Sequence, residues 1–193
     1  MKIGIAGIGG IGSNVARLLA QARVKQIKLV DFDHVDATNL NRQFYRISQV
    51  GEKKVHSLEQ NLREIYPEMI IETLDRKLTS KDASCVFHDC AMVVEGLDHP
   101  AAKKMLVEDL ARSNIQVIAA SGISGPDLSN IRTFQMGHCQ IVGDFSSDAA
   151  DDAVFPPKIA MVSAIMAALV LNTIKEITHD NIPNTGCKYQ PVR

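Results

Sequence analysis

A run of glycines, Gly7-Ile8-Gly9-Gly10-Ile11-Gly12, separates a short apolar stretch, residues 2–6, from a segment beginning at Ile11 whose apolar positions recur at helical spacing. Strand, glycine turn and helix in that order constrain this chain more than any other feature. Residues without a Cβ let the backbone turn tightly and approach a phosphate. The free N–H groups at the helix start, with the positive end of the helix dipole, favour the anion. The pattern opens a doubly wound nucleotide-binding sheet, although glycines that only let a helix pack close to a sheet would read the same way.

A second apolar run, residues 27–30, ends at Asp31, which places a carboxylate at the carboxyl end of the neighbouring strand, where it can accept hydrogen bonds from ribose hydroxyls. The same Asp could instead cap the turn that follows it. Asp33 either supports this site from behind or is solvated. Residues 32–50 form a connection too long for a simple turn in a compact α/β unit, and connections of this length are usually functional.

Beyond it, the pattern predicts helices over residues 53–66, 80–88 and 101–113, alternating with strands over 69–74, 91–95 and 116–120. Two further strands, 131–136 and 139–142, are joined by the tight Gly137-His138 turn, and a final helix includes residues 159–174. The fold class expected is α/β, with a doubly wound, mostly parallel, Rossmann-like sheet. A two-residue turn joins only antiparallel neighbours, so an antiparallel extension is expected at one edge. Residues 1–180 read as one ATP-binding domain and 181–193 as a polar tail. Residues 143–157, with Asp144, Asp148, Asp151 and Asp152, read as a mobile surface loop.

Composition narrows the partners. Lys plus Arg number 21 against 22 Asp plus Glu, so a net charge of -1 offers no general attraction to nucleic acid or to an anionic membrane. The apolar stretch 159–174 is shorter than the ~18 residues of a minimal spanning helix and reads as a buried helix. Its small residues, Ala160, Ser163, Ala164, Ala167 and Ala168, permit close approach to a sheet or a second protomer. Because the chain opens directly on a core strand, a cytoplasmic protein without a leader is expected. Cys85, Cys90, Cys139 and Cys187 include no CxxC pair, so no structural zinc is expected. Cys85 and Cys90 read as buried thiols, and Cys187 as an exposed thiol in the tail.

With ATP lying adenosine-first on Asp31 and phosphates over the glycines, the long connection brings Asn39 and Arg42 to the phosphates, and Lys54 joins them from the next helix. Arg42 offers a planar fork for the β and γ oxygens, whereas Lys54 is a point charge suited to the α phosphate. Two unit charges about 4 Å apart interact by at most about 4 kcal/mol at an effective dielectric of ~20, enough to matter to a rate. Asp98, three residues past the strand ending at Glu95, falls at the same sheet edge. There it can hold Mg²⁺ against phosphates or cap the helix beginning near Pro100.

The set GxGGxGS, DFD, NLNRQ and GEKKV, followed by a strand ending in an acidic motif, resembles the ThiF/MoeB/HesA family, bacterial relatives of ubiquitin-activating enzymes. The likeness spans residues 2–98, and the short chain looks most like a compact ThiF-like branch of thiamine biosynthesis. The resemblance implies ATP-dependent adenylation of the C-terminal glycine of a small ubiquitin-like sulfur carrier, ThiS-like, with release of pyrophosphate and with Mg²⁺ at Asp98. Nucleotide binding would fall to Gly7, Gly9, Gly10, Gly12, Asp31, Asp33, Asn39, Arg42 and Lys54, and catalysis to Arg42, Lys54 and Asp98. It also favours a homodimer. The family often reads D-x-x-D-N where this chain has Glu95-Gly96-Leu97-Asp98-His99, and with six residues before Gly7 the Arg that many relatives supply from a helix before the glycine turn is expected to be missing or to come from elsewhere. Two other readings fit the glycine turn with Asp31. One is an NAD(P)-dependent oxidoreductase, which has no need of both Arg42 and Lys54; the other is a non-catalytic subunit binding ATP and carrier.

Overall fold

A computed structural model describes residues 1–79, 82–147 and 153–180, with side chains described as far as residue 176. The elements run β1 (Lys2–Ala6), α1 (Gly10–Gln21), β2 (Gln26–Asp31), α2 (Lys54–Ile65), β3 (Ile70–Asp75), α3 (Ala83–Val86), β4 (Met92–Glu95) and α4 (Pro100–Arg112). They continue with β5 (Gln116–Ala120), β6 (Arg132–Met136), β7 (Cys139–Gly143) and α5 (Pro156–Asp180).

The seven strands form one sheet in the order β3-β2-β1-β4-β5-β7-β6, parallel throughout except that β6 runs against β7. The expected doubly wound sheet is therefore present, with its antiparallel pair at one edge. β7 inserts between β5 and β6, so the fully exposed β6 is the true edge. In the centre, β1 and β4 are apolar on both faces because helices cover both. Alternate residues divide them between two cores. Ile3, Ile5, Met92 and Val94 pack with α1, α2 and α5, while Ala6 and Val93 pack with α3 and α4 around Phe87, Leu106 and Leu110.

Three details depart from the sequence reading. Cys85 is exposed; Cys90 and Cys139 are buried, burial pushes the Cys90 thiol up to about 12, and Cys187 lies outside the described residues. The last helix begins at Pro156 rather than near residue 159, and its segment Pro156–Glu176, with a mean hydropathy of 1.7, is long and apolar enough to cross a membrane by length and composition. The shortness argued from residues 159–174 therefore does not hold. What identifies a core helix is packing, since Val162, Met166 and Val170 are fully buried against α1 and the sheet. Asp144, expected in a mobile loop, is buried and ion-paired to Lys158, because β7 ends directly beneath the first turn of α5. Asp148, Asp151, Asp152 and the polar tail 181–193 lie outside the described residues.

The sequence analysis also missed a charge cluster on the α3 side of the sheet. Lys28, 4 % exposed, donates to the Val86 carbonyl and to Asp89, while Lys2 joins Asp89 and Glu72.

Candidate functional site

At the carboxyl ends of β1, β2 and β4, where the chain winds away from β1 in both directions, a crevice of about 430 Å³ opens over the glycine turn. Gly7 has φ +81°, and a Cβ there would lie 2.8 Å from the backbone of Gly96 at the end of β4. A Cβ on Gly12 would come within 2.0 Å of the Gly7 carbonyl oxygen, so only glycine lets α1 start this close to β1. Gly7, Gly9 and Gly10 line the crevice; Gly12 does not, and it serves the site by permitting that close approach.

Asp31 lines the crevice at the end of β2 and is 9 % exposed. Its Oδ2 accepts the Ile8 N–H at 2.8 Å and its Oδ1 the Asp33 N–H at 2.9 Å, so the carboxylate pins the glycine turn and caps its own turn together. Each oxygen retains lone-pair capacity for a ribose hydroxyl. Burial pushes the Asp31 carboxyl up, and the two N–H donors and nearby Lys54 oppose that shift.

Lys54 and Arg42 both reach the crevice, but on different terms. Lys54, 6 % exposed at the start of α2, donates to Asp33 Oδ2 at 3.0 Å, and its backbone N–H bonds the Asp33 carbonyl. Asp33 is thus half-exposed and at the same time the residue that steadies Lys54. The ammonium has three donors, so it can hold Asp33 and still serve an anion. Among the described residues Arg42 has no carboxylate partner: its Nη1 donates to the Thr38 carbonyl and to Asn41 Oδ1, both at 2.9 Å, and the rest of the guanidinium is uncommitted there. Asn39 does not line the crevice. Its side chain accepts the Asp36 N–H within the short turn Ala37–Asn39, and its carbonyl accepts from Arg42 and Gln43, so it shapes the loop that carries the arginine.

Opposite stands Asp98, exposed and without a hydrogen bond or ion pair among the described residues. His99 occupies the cap position of α4, so the capping role is not realised by Asp98. One carboxylate is a small donor set, yet Mg²⁺ commonly takes only one or two from protein and completes its shell with water and phosphate oxygens. Among the described residues no group of three His, Cys, Asp or Glu could hold a metal without such help. Asp98 therefore fits Mg²⁺ as a partner of a bound polyphosphate.

Among the lining residues to which the sequence analysis gave no role are Lys103 and Gln43. Lys103 on α4 donates to both oxygens of the fully buried Glu95, at 3.1 and 2.9 Å. Burial pushes the Glu95 carboxyl up, and Lys103 opposes it. The signal was available, since a carboxylate closing an otherwise apolar strand demands a cation, and Lys103 lies in the first turn of the next helix. Gln43 also lines the crevice, where its buried Oε1 has no partner, an orphan acceptor that a bound ligand could satisfy. The far wall consists of Ser121–Ser124, Ser147, Val154 and Ile159. Behind it Lys158 donates to Asp144 Oδ2 at 2.5 Å and to the Ser124 carbonyl at 2.6 Å.

The family model described as "ThiF family" matches residues 1–192. Among curated proteins the chain is 29 % identical over 186 residues to the adenylyltransferase and sulfurtransferase UBA4 of Lodderomyces elongisporus, covering 92 % of this chain and 40 % of that protein. It is 37 % identical over 79 residues to ubiquitin-like modifier-activating enzyme 5 of Arabidopsis thaliana, covering 41 % of this chain and 18 % of that protein. It thus spans less than half the length of these relatives. Among solved structures, the E. coli tRNA N6-threonylcarbamoyladenosine dehydratase TcdA in complex with ATP superposes with a TM-score of 0.84 at 20 % identity, covering 93 % of this chain and 87 % of that one. E. coli MccB with AMPCPP and MccA gives 0.71 at 23 % identity, covering 91 % and 56 %. These structural likenesses show a shared fold.

Proposed function

We propose, from the premise that this chain belongs to the ThiF family, that it is an adenylyltransferase using ATP to activate the C-terminal glycine carboxylate of a small ubiquitin-like sulfur carrier. One observation carries this reading. Arg42, Lys54 and the unpaired Asp98 come from three separate elements and meet around one crevice floored by the glycine turn. An adenine dinucleotide needs no such convergence of two cations and an acid; a triphosphate does.

Asp31 takes the ribose, and the N–H groups of the glycine turn face the phosphates. The uncommitted fork of Arg42 grips the β and γ oxygens, Lys54 neutralises charge at the α phosphate, and Asp98 would hold Mg²⁺, which supplies further neutralisation when bound. The carrier carboxylate, ionised at neutral pH, attacks the α phosphorus; its oxygen bonds to phosphorus as the bond to pyrophosphate breaks. No general base is required, because the nucleophile carries no proton to remove. Catalysis consists of in-line placement and charge neutralisation.

The names of the UBA4 relatives, adenylyltransferase and sulfurtransferase, support a sulfur carrier. Within that class we favour a ThiS-like carrier of thiamine biosynthesis, a choice resting on the resemblance of the short chain to ThiF-like proteins. The free thiols of Cys85, Cys90 and Cys139 agree with a cytoplasmic location, and a homodimer is the assembly proposed. The test is carrier-dependent exchange of labelled pyrophosphate into ATP. Exchange with a glycine-ended carrier, and none with a carrier lacking that glycine, is expected. Tight ATP binding without exchange would instead favour a non-catalytic subunit, and preference for NAD over ATP an oxidoreductase.

A further inference from the structure

Three successive carbonyls of the glycine turn are tied to the loop that carries Arg42. The Ile8 carbonyl accepts the Tyr45 hydroxyl at 2.8 Å. The Gly9 carbonyl accepts Ser13 Oγ at 2.6 Å, and that oxygen in turn accepts the Phe44 N–H at 3.0 Å. The Gly10 carbonyl accepts Asn14 Nδ2 at 2.7 Å, and the same nitrogen donates to the Arg42 carbonyl at 2.8 Å. Both neighbours of Nδ2 are acceptors, so the amide orientation is fixed by chemistry. Asparagine is a weak choice inside a helix, because its side chain competes for backbone groups. In the first turns of α1 that tendency is put to use, as the amide reaches back to Gly10 and sideways to Arg42.

Arg42 bonds only neutral groups through its side chain, so the placement of its guanidinium depends on how firmly its backbone is held. We propose that Asn14 is a positioning residue for Arg42. Its amide fastens the backbone of that arginine to the glycine turn, presenting the guanidinium to the β and γ phosphates. This rests on the reading of Arg42 given under the proposed function.

The experiment measures ATP and AMP binding by calorimetry on the full chain, in wild type, Asn14→Ala, Arg42→Ala and the double variant. AMP lacks the phosphates that Arg42 is assigned. Asn14→Ala is expected to weaken ATP about tenfold, to leave AMP within about twofold, and to add no more than about twofold once Arg42 is alanine. Equal losses for ATP and AMP, or fully additive losses in the double variant, overturn the role of Asn14 alone. An Arg42→Ala protein that binds ATP like wild type overturns the phosphate seat and this inference with it. Should Asn14→Ala fail to fold, Asn14→Ser, which keeps one donor, is measured in the same cycle and must show the same selective loss for ATP.

Discussion

The two walls of the crevice handle charge in opposite ways. Behind the far wall, Lys158 is 1 % and Asp144 9 % exposed, and every partner they need is protein: Ser124, Ser147 and each other, with the Ser146 and Ser147 N–H groups on Asp144 Oδ1. On the near wall, among the described residues, Arg42 has only neutral partners, Lys54 shares its ammonium with a half-exposed Asp33, and Asp98 faces them with no partner. A buried ion whose valences are used up inside the protein holds a shape and has nothing left for a ligand. Ions with spare valence at a crevice are costly to keep together unless something anionic joins them. The contrast separates an ion pair spent on structure, behind the crevice, from ions at its lining that keep capacity for a ligand.

The largest effect that would break this comparison is expected at Lys158. Lys158→Met leaves the Asp144 carboxylate buried and uncompensated, at a cost of about 3–5 kcal/mol in urea unfolding, and Lys158→Met with Asp144→Leu recovers much of it. A single variant within about 1 kcal/mol of wild type would make the far wall as expendable as a surface pair. Arg42→Ala should behave in the opposite manner, losing turnover on the order of 10²-fold while unfolding within about 0.5 kcal/mol of wild type. Lys54→Ala should fall in the same class; wild-type exchange rates in either variant would remove that cation from the reaction. Asp31 stands between the extremes, since it both holds the turn and lines the crevice where the ribose is proposed to lie. Asp31→Ala should weaken ATP by about tenfold with some loss of stability, and unchanged ATP affinity would leave it only its bonds to Ile8 and Asp33.

Acid sharpens the comparison most finely. Burial pushes the Asp144 carboxyl up, but Lys158 and the Ser147 and Ser146 N–H groups outweigh it and hold the group well below the usual carboxylate range; Lys2 and Lys28 do the same to Asp89. A carboxylate depressed on folding contributes stability that is present above its unfolded pKa of about 3.9 and is lost as pH falls through the folded value. Stability should therefore decline below about pH 5 in wild type. In Asp144→Asn the decline should be shallower over the same interval, and identical slopes in urea titrations at successive pH values would contradict the pairing.

How much of this was legible beforehand varies with the distance over which each feature is decided. β1 and β5 lie at the bounds the pattern predicts, because strand periodicity and glycine punctuation are local. Asp31, Arg42, Lys54 and Asp98 could be named because each follows directly on a strand end or a motif. Asn39 was placed on a phosphate by the long connection that carries it and by resemblance, whereas in the folded loop its side chain accepts the Asp36 N–H. Lys158 and Asp144 are 14 residues apart, and no pattern in the intervening chain announces that one will bury the other.

The amino-acid order alone determined the alternation of strands and helices and the site of the glycine turn, since these follow from side-chain size, backbone freedom and periodicity within a few residues. Only the folded sheet decided which ions are spent on the protein and which remain for a ligand. That choice depends on burial and on partners brought from distant segments, and neither exists until β1, β4 and β5 lie side by side.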